Sequence, residues 1–196
     1  MGMGLTRTFG TTEIPVWQGT NKDIQLAQGG FLLDTTGFDA GYVLPAGTPM
    51  AFNSATRVAK ALKVATLTAN ATNTATTYQV AKGHNFKVGD YFAAAPGGAA
   101  YAITAIDTTN AAYDVITVGT TLGVALTSGA LLFGSSATGA SAASYGGVNG
   151  LLYDDVTVGT GVSCSVVIRG TVYARRVPYS TGLEAALPRI IYSQSY

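Results

Sequence analysis

Charged residues are scarce in this chain. Only 11% of its 196 residues are charged, whereas soluble domains carry about 25%. A surface with so few charges suits contact with other protein chains. The formal net charge is +1 and no basic run occurs, so the sequence offers no electrostatic surface for nucleic acid or an anionic membrane. We therefore expect neither nucleic acid nor a membrane as a partner.

Cysteine and long apolar runs are also scarce. Cys164 is the single cysteine, which excludes an internal disulfide, and its neighbours predict a buried strand residue rather than a reactive thiol. No stretch reaches the roughly 18 apolar residues that cross a bilayer. The N-terminus lacks a basic segment followed by an apolar one. We expect no membrane-spanning segment and no export by the usual route.

Residues that perform catalysis are few. The chain has one histidine, one cysteine and ten carboxylates, with no His/Cys cluster for zinc, no Gly-x-Ser-x-Gly and no phosphate-binding loop. Asp154 and Asp155 are adjacent, so on a strand they would point to opposite faces. His84 lies in a predicted loop, where its ring is expected to hydrogen-bond a nearby backbone group. The sequence predicts no enzyme, no cofactor and no metal site.

Glycine is abundant, with 25 residues, alongside threonine, alanine and valine. Side chains branched at Cβ fit a pleated sheet, and glycine reaches the positive φ angles that tight turns need. This composition favours many short strands joined by tight turns. The predicted fold class is therefore mainly all-β.

A small β-barrel is predicted at residues 68–135. Five short strands, "TYQVA", "GHNFKVGDYFAAA", "AYAITAID", "DVITVGTTLGVAL" and "GALLFG", are separated by Gly and Asn turns. The polar stretch 68–77 and the Gly/Ser/Ala-rich stretch 134–147 are interpreted as linkers. If each linker returns the chain to its starting point, the barrel is an insertion, and residues 31–67 and 136–196 form one split domain.

The flanking segments carry further signals. "VSCSVVIRGTV" alternates between apolar and polar residues and predicts one strand. "ATRVAKALKVATL" fits a short helix or a strand, and its context favours a strand. "STGLEAALPRI" predicts one short C-terminal helix, with Ser180 or Thr181 as its cap and Pro188 as its stop.

Residues 1–30 show neither alternation nor a helical period and are predicted to form an extended arm. Its large apolar side chains either pack on the chain's own domain or are kept for a partner, and we favour the partner. Pro15 suits an extended or edge conformation, as in strand addition to another subunit's sheet. The candidate partner-contact residues are Leu5, Phe9, Ile14, Val16 and Trp17.

A second candidate contact is basic. Three arginines surround Tyr173 in the sequence, and they either pair with carboxylates of a neighbouring subunit or are simply solvated. The sequence leaves both interpretations open. The residues of this candidate subunit contact are Arg169, Tyr173, Arg175 and Arg176.

Three segments carry a resemblance to a known family: "AGYVLPAGTPMAF", "GLLYDDVTVGTGVSCSVVIRGTVYARRVPY" and "LEAALPRIIY". Together they resemble the head decoration proteins of tailed bacteriophages, the lambda-type capsid-stabilising family, and the related head fibre proteins. The segment beginning "AKGHNFKVGDYF" resembles an inserted β module found in some phage head proteins. Compact decoration proteins lack such an insertion, so this chain departs from them there.

The resemblance implies a decoration-type β domain that forms a homotrimer on local threefold positions of an icosahedral head. Its N-terminal arm would add strands to the major capsid protein, and the protein would stabilise the assembled shell because it binds only the lattice. It would be made in the bacterial host cytoplasm and located on the outside of the virion head.

The alternative function is a host-surface glycan-binding module displayed on the virion. In that interpretation tyrosines of the predicted barrel form a stacking platform for sugars, although such tyrosines are more often core or strand-pair residues. The platform would consist of Tyr78, Tyr91, Tyr101 and Tyr113.

Overall fold

The computed structural model describes residues 16–19 and 23–194. Within them the chain is mainly β, with a single short α-helix near its C-terminal end. This confirms the predicted all-β class and the short C-terminal helix. The candidate arm residues Leu5, Phe9 and Ile14 lie outside the described residues.

The strands fall into three consecutive groups along the chain. The first group is β1 (Trp17–Gln18), β2 (Gln25–Leu26), β3 (Phe31–Asp34), β4 (Val43–Leu44), β5 (Pro49–Asn53) and β6 (Val58–Ala61). The second is β7 (Val64–Thr66), β8 (Thr77–Ala81), β9 (Tyr91–Ala93), β10 (Ala100–Asp107), β11 (Tyr113–Val118) and β12 (Leu131–Ser135). The third is β13 (Gly150–Leu152), β14 (Val156–Thr157), β15 (Ser163–Cys164), β16 (Val166–Tyr173) and β17 (Ile190–Ser193).

The first and third groups build one nine-stranded sheet, in the order β1-β16-β13-β5-β6-β3-β15 with β2 and β17 also paired to β16. Met50 of β5 lies opposite Gly150 of β13, so strands a hundred residues apart in the chain are neighbours. β4 and β14 form a separate two-stranded ribbon. We call these two groups of strands, with their loops, the sheet unit.

The second group forms its own six-stranded antiparallel sheet, in the order β7-β12-β9-β10-β11-β8. Its two ends meet, because Leu67 bridges to Val80 and the Thr68 N–H donates to the Gln79 carbonyl at 2.9 Å. The sheet therefore closes into a barrel. Val64 of β7 lies opposite Phe133 of β12, so the barrel's first and last strands are neighbours.

The barrel begins at Val64, earlier than the predicted boundary at residue 68. "ATRVAKALKVATL" is a strand region as favoured, but it divides into β6 of the sheet unit and β7 of the barrel. The stretch 68–77 is therefore part of the barrel and not a linker that leads to it. Ala71 in this stretch is partly buried and exchanges two backbone hydrogen bonds with Leu126.

Three apolar cores are present among the residues that the structure describes. One fills the barrel and one lies within the sheet unit. The third joins the two units, since Phe133 of the barrel and Leu151 and Leu183 of the sheet unit belong to the same buried cluster. Tyr145 is also buried there, with its ring centroid 4.4 Å from that of Phe133. The stretch 134–147 is thus a packed connection and not the open linker that its composition predicted.

"VSCSVVIRGTV" forms two strands rather than the single strand predicted. β15 pairs with β3, whereas β16 pairs with β1, β2, β13 and β17. The consecutive residues Val166 and Val167 are both fully buried, one in the core of the sheet unit and one in the core between units. A strand that is covered on both faces does not keep one polar face, so alternation misled the assignment here.

The helix α1 (Thr181–Ala186) follows the sequence signals closely. The Ser180 hydroxyl accepts a hydrogen bond from the Leu183 N–H at 3.1 Å, and Glu184 lies in the first turn. Leu183 is fully buried against the core between units. This one side chain fixes a helix too short to be stable alone.

Two glycines are required by close packing. A Cβ on Gly150 would lie 2.4 Å from Cγ1 of Val166, because β13 presses directly against β16. Gly47 has φ +82°, and a Cβ there would lie 2.3 Å from Cγ1 of Val177. The "PAGT" turn of the sequence therefore needs glycine both for its backbone conformation and for space.

Candidate functional site

The described end of the N-terminal arm is bound to the chain's own sheet. Trp17 of β1 lies opposite Val172 of β16, and its indole N–H donates to the Tyr153 carbonyl at 2.8 Å. The Val16 carbonyl accepts from the Tyr173 N–H at 3.1 Å. Val16 and Trp17 therefore contact the chain's own sheet, whereas contact with a partner was the favoured prediction. Contact of Leu5, Phe9 and Ile14 with a partner stays a prediction.

The candidate basic cluster is divided by the structure. Arg169 is exposed on β16 opposite Gln25, about four strand residues or roughly 13 Å before Tyr173. Arg175 and Arg176 lie in a 3₁₀ turn (Ala174–Arg176) directly after the strand. The Arg176 guanidinium lies 5.3 Å from the centre of the Tyr173 ring, within cation–π range. Only these last residues form a local group.

His84 has a charged neighbour that the sequence did not reveal. Its Nδ1 accepts a hydrogen bond from the Phe86 N–H at 3.2 Å, which is the backbone contact that was predicted. Its Nε2 lies 3.2 Å from Oδ2 of Asp114, and Lys82 Nζ lies 2.5 Å from the other oxygen of that carboxylate. Asp114 follows His84 by thirty residues and lies on β11, whereas His84 lies in the loop between β8 and β9, so no local motif indicates the pair.

The environment of His84 favours its neutral form. Burial lowers the pKa of the imidazole below its usual value, the charge of Lys82 lowers it further, and Asp114 only partly opposes this. The lone pair on Nδ1, which a general base would use, already accepts the Phe86 N–H. Nδ1 therefore helps to hold the loop that contains residues 82–90, whereas Nε2 faces the Asp114 carboxylate without a hydrogen bond to a described residue.

The other reactive side chains have structural contacts. Cys164 is 3% exposed on β15, and burial raises the pKa of its thiol, as expected of a small apolar residue in a strand. Asp155 accepts a hydrogen bond from the Ala46 N–H at 2.7 Å and so supports the "PAGT" turn. In residues 16–19 and 23–194, no group of three or more His, Cys, Asp or Glu side chains is arranged to hold a metal ion.

The four tyrosines of the predicted platform do not share a surface. Tyr78 is 1% exposed and fills the barrel, where its hydroxyl donates to the Ala75 carbonyl. Tyr101 also packs against the barrel core. Tyr113 precedes the buried Asp114 on β11 and so points out of the barrel, as does Tyr91 beside the buried Phe92. The stacking platform is therefore wrong as an assembly of these residues.

A cleft of about 540 Å³ lies between the two units. We call it the inter-unit cleft. The loop between β3 and β4 contributes Phe38 and Tyr42, and the loop between β8 and β9 contributes Lys82, His84 and Asn85. The segment after β16 completes the wall with Arg175, Arg176 and Tyr179. Its size is within the range of small-ligand sites.

Three polar contacts connect the barrel to its surroundings: two hold the loop between β3 and β4, and one holds Lys63, which lies between β6 and β7. The Tyr42 hydroxyl donates to the Gly83 carbonyl at 2.8 Å, and Lys87 Nζ lies 2.7 Å from Oδ1 of Asp39. Lys63, at the crossing between β6 and β7, pairs with Asp90 at 2.6 Å. The Lys63 side chain is largely buried, so this pair is screened less by water than the exposed pair of Lys87. The cleft therefore has fixed walls on both units.

Most residues of the cleft could not be singled out from the sequence. Phe38, Tyr42, Asn85 and Tyr179 come from separate segments and carry no motif. The exceptions were Arg175 and Arg176, which stand out as adjacent arginines in a chain with so little charge, and His84, which is the single histidine.

Comparisons with known proteins supply no relative. No family model, no curated protein and no solved structure matches this chain. None of the helices in the described part of the chain has the length and apolar content of a membrane-spanning helix. Any function must therefore be argued from the residues and their arrangement.

Proposed function

We propose that the protein is a structural component of a tailed-phage virion, a homotrimeric decoration or head fibre protein that binds the outside of the head through its N-terminal arm. The supporting observation is how the three segments of the resemblance assemble. The first segment is separated from the other two by the whole barrel, yet β4 pairs with β14 and β5 with β13. Within the last two segments, β16 pairs with β17. The resembling segments thus build one continuous unit, and the segment that departs from the family forms a separate barrel.

The position of β1 supports attachment through the arm. β1 is an end strand of the nine-stranded sheet and is held by both backbone pairing and the Trp17 indole. Residues 1–15 therefore precede a strand that is fixed to the folded unit. If apolar residues of that segment bind the major capsid protein, the fixed strand β1 would anchor the whole sheet unit to it.

Attachment is tested with empty heads that lack this protein. The variant Leu5→Ala/Phe9→Ala/Ile14→Ala removes the three arm side chains that lie outside the described structure, and it spares Trp17, whose loss would disturb the sheet. Val88→Ala is the matched control, since Val88 is 63% exposed on the barrel. We expect the triple variant to lose co-sedimentation with heads, and the control to bind as the wild type does.

The oligomeric state is measured on the same samples by analytical ultracentrifugation. We expect a trimer for all three proteins, because the arm is proposed to serve the shell and not the trimer. A wild-type protein that stays monomeric and ignores assembled heads would contradict the proposed function.

A further inference from the structure

The barrel loop between β8 and β9 makes two contacts with the sheet unit, and His84 lies between them. On one side of His84, the Gly83 carbonyl accepts a hydrogen bond from the Tyr42 hydroxyl at 2.8 Å. On the other side, Lys87 Nζ lies 2.7 Å from Oδ1 of Asp39. Tyr42 and Asp39 both belong to the loop between β3 and β4. We call these two contacts the latch between the units.

His84 fixes its loop through a nitrogen that must be unprotonated. Nδ1 accepts a hydrogen bond from the Phe86 N–H at 3.2 Å, so the proton of the neutral ring lies on Nε2. Phe86 is held in place from the other side, because its ring is buried in the barrel core and packs edge to face with Phe92. The Phe86 N–H therefore has a fixed position, and only the neutral form of the imidazole offers it an acceptor.

Protonation of the ring removes this acceptor. An imidazolium carries a hydrogen on both nitrogens, so its Nδ1–H would face the Phe86 N–H with the two donor nitrogens 3.2 Å apart. Turning the ring over would place a carbon at this position, which also leaves the Phe86 N–H without a partner. A partly buried N–H that loses its acceptor destabilises the conformation that buries it. A charged His84 therefore favours a rearranged loop.

The groups that face His84 compensate little for a charge on its ring. Asp114 on β11 lies 3.2 Å from Nε2 and would attract an imidazolium, but Lys82 already pairs with that carboxylate. His84 helps to line the inter-unit cleft, and no Asp or Glu of the described residues lines it. The other basic and phenolic groups of the cleft wall are Tyr42, Lys63, Lys82, Arg175, Arg176 and Tyr179. Two further ion pairs at this loop join Lys87 to Asp39 and Lys63 to Asp90.

The balance of these effects favours the neutral ring in the closed loop. Burial is the largest cause and lowers the pKa of His84 below its usual value of 6.5, Lys82 lowers the pKa further, and Asp114 opposes both only in part. In a loop that has opened to water, the ring would regain its usual pKa. Acid therefore shifts the equilibrium from the closed loop towards the open one.

We propose that His84 is a pH-sensitive switch: protonation of its ring opens the loop between β8 and β9 and so releases the latch between the barrel and the sheet unit. In neutral solution the Nδ1 contact keeps the loop closed, and both contacts of the latch are made. In mildly acidic solution the charged ring turns towards water, and Gly83 and Lys87 withdraw from Tyr42 and Asp39. The units stay joined through their shared core, so the change is confined to the loops. The inference does not depend on attachment to a shell.

The test is hydrogen–deuterium exchange of the full chain, followed for single amides by nuclear magnetic resonance and corrected for the intrinsic exchange rate at each pH. The open fraction should grow by up to about tenfold for each pH unit below 6.5, until the pH reaches the pKa of the closed loop. Between about pH 7.5 and about pH 5.5, we expect the Phe86 and Tyr42 amides to lose protection together, by up to about tenfold. The Leu126 amide, which donates to the Ala71 carbonyl in the barrel, should keep its protection.

His84→Asn is the matched variant. An asparagine Oδ1 accepts the N–H two residues later, as the side chains of Asn53 and Asn110 do elsewhere in this chain, and it does not titrate. In this variant the protection of the Phe86 amide should be the same at both pH values. His84→Ala supplies no acceptor, so its loop should be open at both pH values.

Four results would overturn the proposal. The first is a change of less than about twofold in the protection of the Phe86 amide of the wild type. The second is a loss at Phe86 without a loss at Tyr42, which would leave the latch closed. The third is an equal loss at Leu126, which would mean that acid unfolds the whole barrel. The fourth is a pH response in His84→Asn equal to that of the wild type. If His84→Asn fails to fold, the first three results still decide, because they need no substitution.

Discussion

The core between the units should couple the folding of the barrel to that of the sheet unit. Phe133 is fully buried in this core and contacts the Tyr145 ring. Truncating a buried Phe to Ala costs about 3–5 kcal/mol, and loss of the aromatic pair adds about 0.5–1.5 kcal/mol. A domain has only about 5–15 kcal/mol of stability. Phe133→Ala should therefore remove a large share of the stability that holds the two units together.

Trp17 makes the coupling measurable. It is the single tryptophan and lies on β1, so its fluorescence reports on the sheet unit, whereas far-ultraviolet circular dichroism reports on both units. In wild type we expect the two urea transitions to coincide. In Phe133→Ala we expect them to separate, with a fall in midpoint temperature of roughly 7–26 °C at about 2–4 °C per kcal/mol.

The matched variant is Phe92→Ala. Phe92 is also fully buried, but it lies in the core inside the barrel. It should destabilise the barrel by a similar amount without removing a contact between the units. If Phe133→Ala lowers the free energy of unfolding by less than about 1 kcal/mol, the claim that this core couples the units is refuted, because the loss would be far below that of a buried Phe.

Three further predictions concern single residues. Gly150→Ala should destabilise the protein by about 1–3 kcal/mol in urea unfolding, since its Cβ would lie 2.7 Å from the Val167 carbonyl oxygen. The control is Gly119→Ala, which should be nearly neutral because its Cβ would lie no nearer than 3.6 Å to any atom beyond its two neighbours in the chain. Burial lowers the pKa of His84, so the folded state prefers the neutral ring. The stability that this preference contributes is present above the usual pKa of 6.5. It is lost as the pH falls from 6.5 towards the pKa of the folded state. Nuclear magnetic resonance titration of this single histidine should give a midpoint below 6.5, and a midpoint above it would contradict the role of burial. Cys164 should react with Ellman's reagent only after unfolding, because it is buried and burial raises the pKa of its thiol; rapid reaction of the native protein would show that the strand is open.

Local patterns predicted the parts of the fold that depend on neighbours in sequence. Ile116 and Val118 alternate with less buried residues on β11, and Ser180 caps α1, so both elements followed from short-range physics. Patterns failed where tertiary packing decides. Val166 and Val167 are buried on opposite faces, and Tyr145 turns a Gly/Ser/Ala-rich stretch into part of a core.

The inter-unit cleft was even harder to predict from local sequence patterns. Arg175 and Arg176 were noticed as an adjacent basic pair, but their role as a wall of the cleft depends on the position of the barrel loop that contains Asn85. The contact between His84 and Asp114 likewise depends on β11 lying next to β8. Neither relation is encoded in the spacing of residues along the chain.

The pairing of Val64 with Phe133 has a consequence for the order of folding. β5 and β13 are separated by a hundred residues, so their pairing must close a long loop. Once the barrel has formed, its first and last strands are adjacent, and the free chain that remains to be closed is roughly a third as long. Since each halving of a loop saves about 0.6 kcal/mol of closure entropy, a preformed barrel lowers the entropic barrier to assembling the sheet by about 1 kcal/mol. The barrel would thereby act as an internal scaffold. It could fold during synthesis, before the C-terminal half of the sheet unit has left the ribosome.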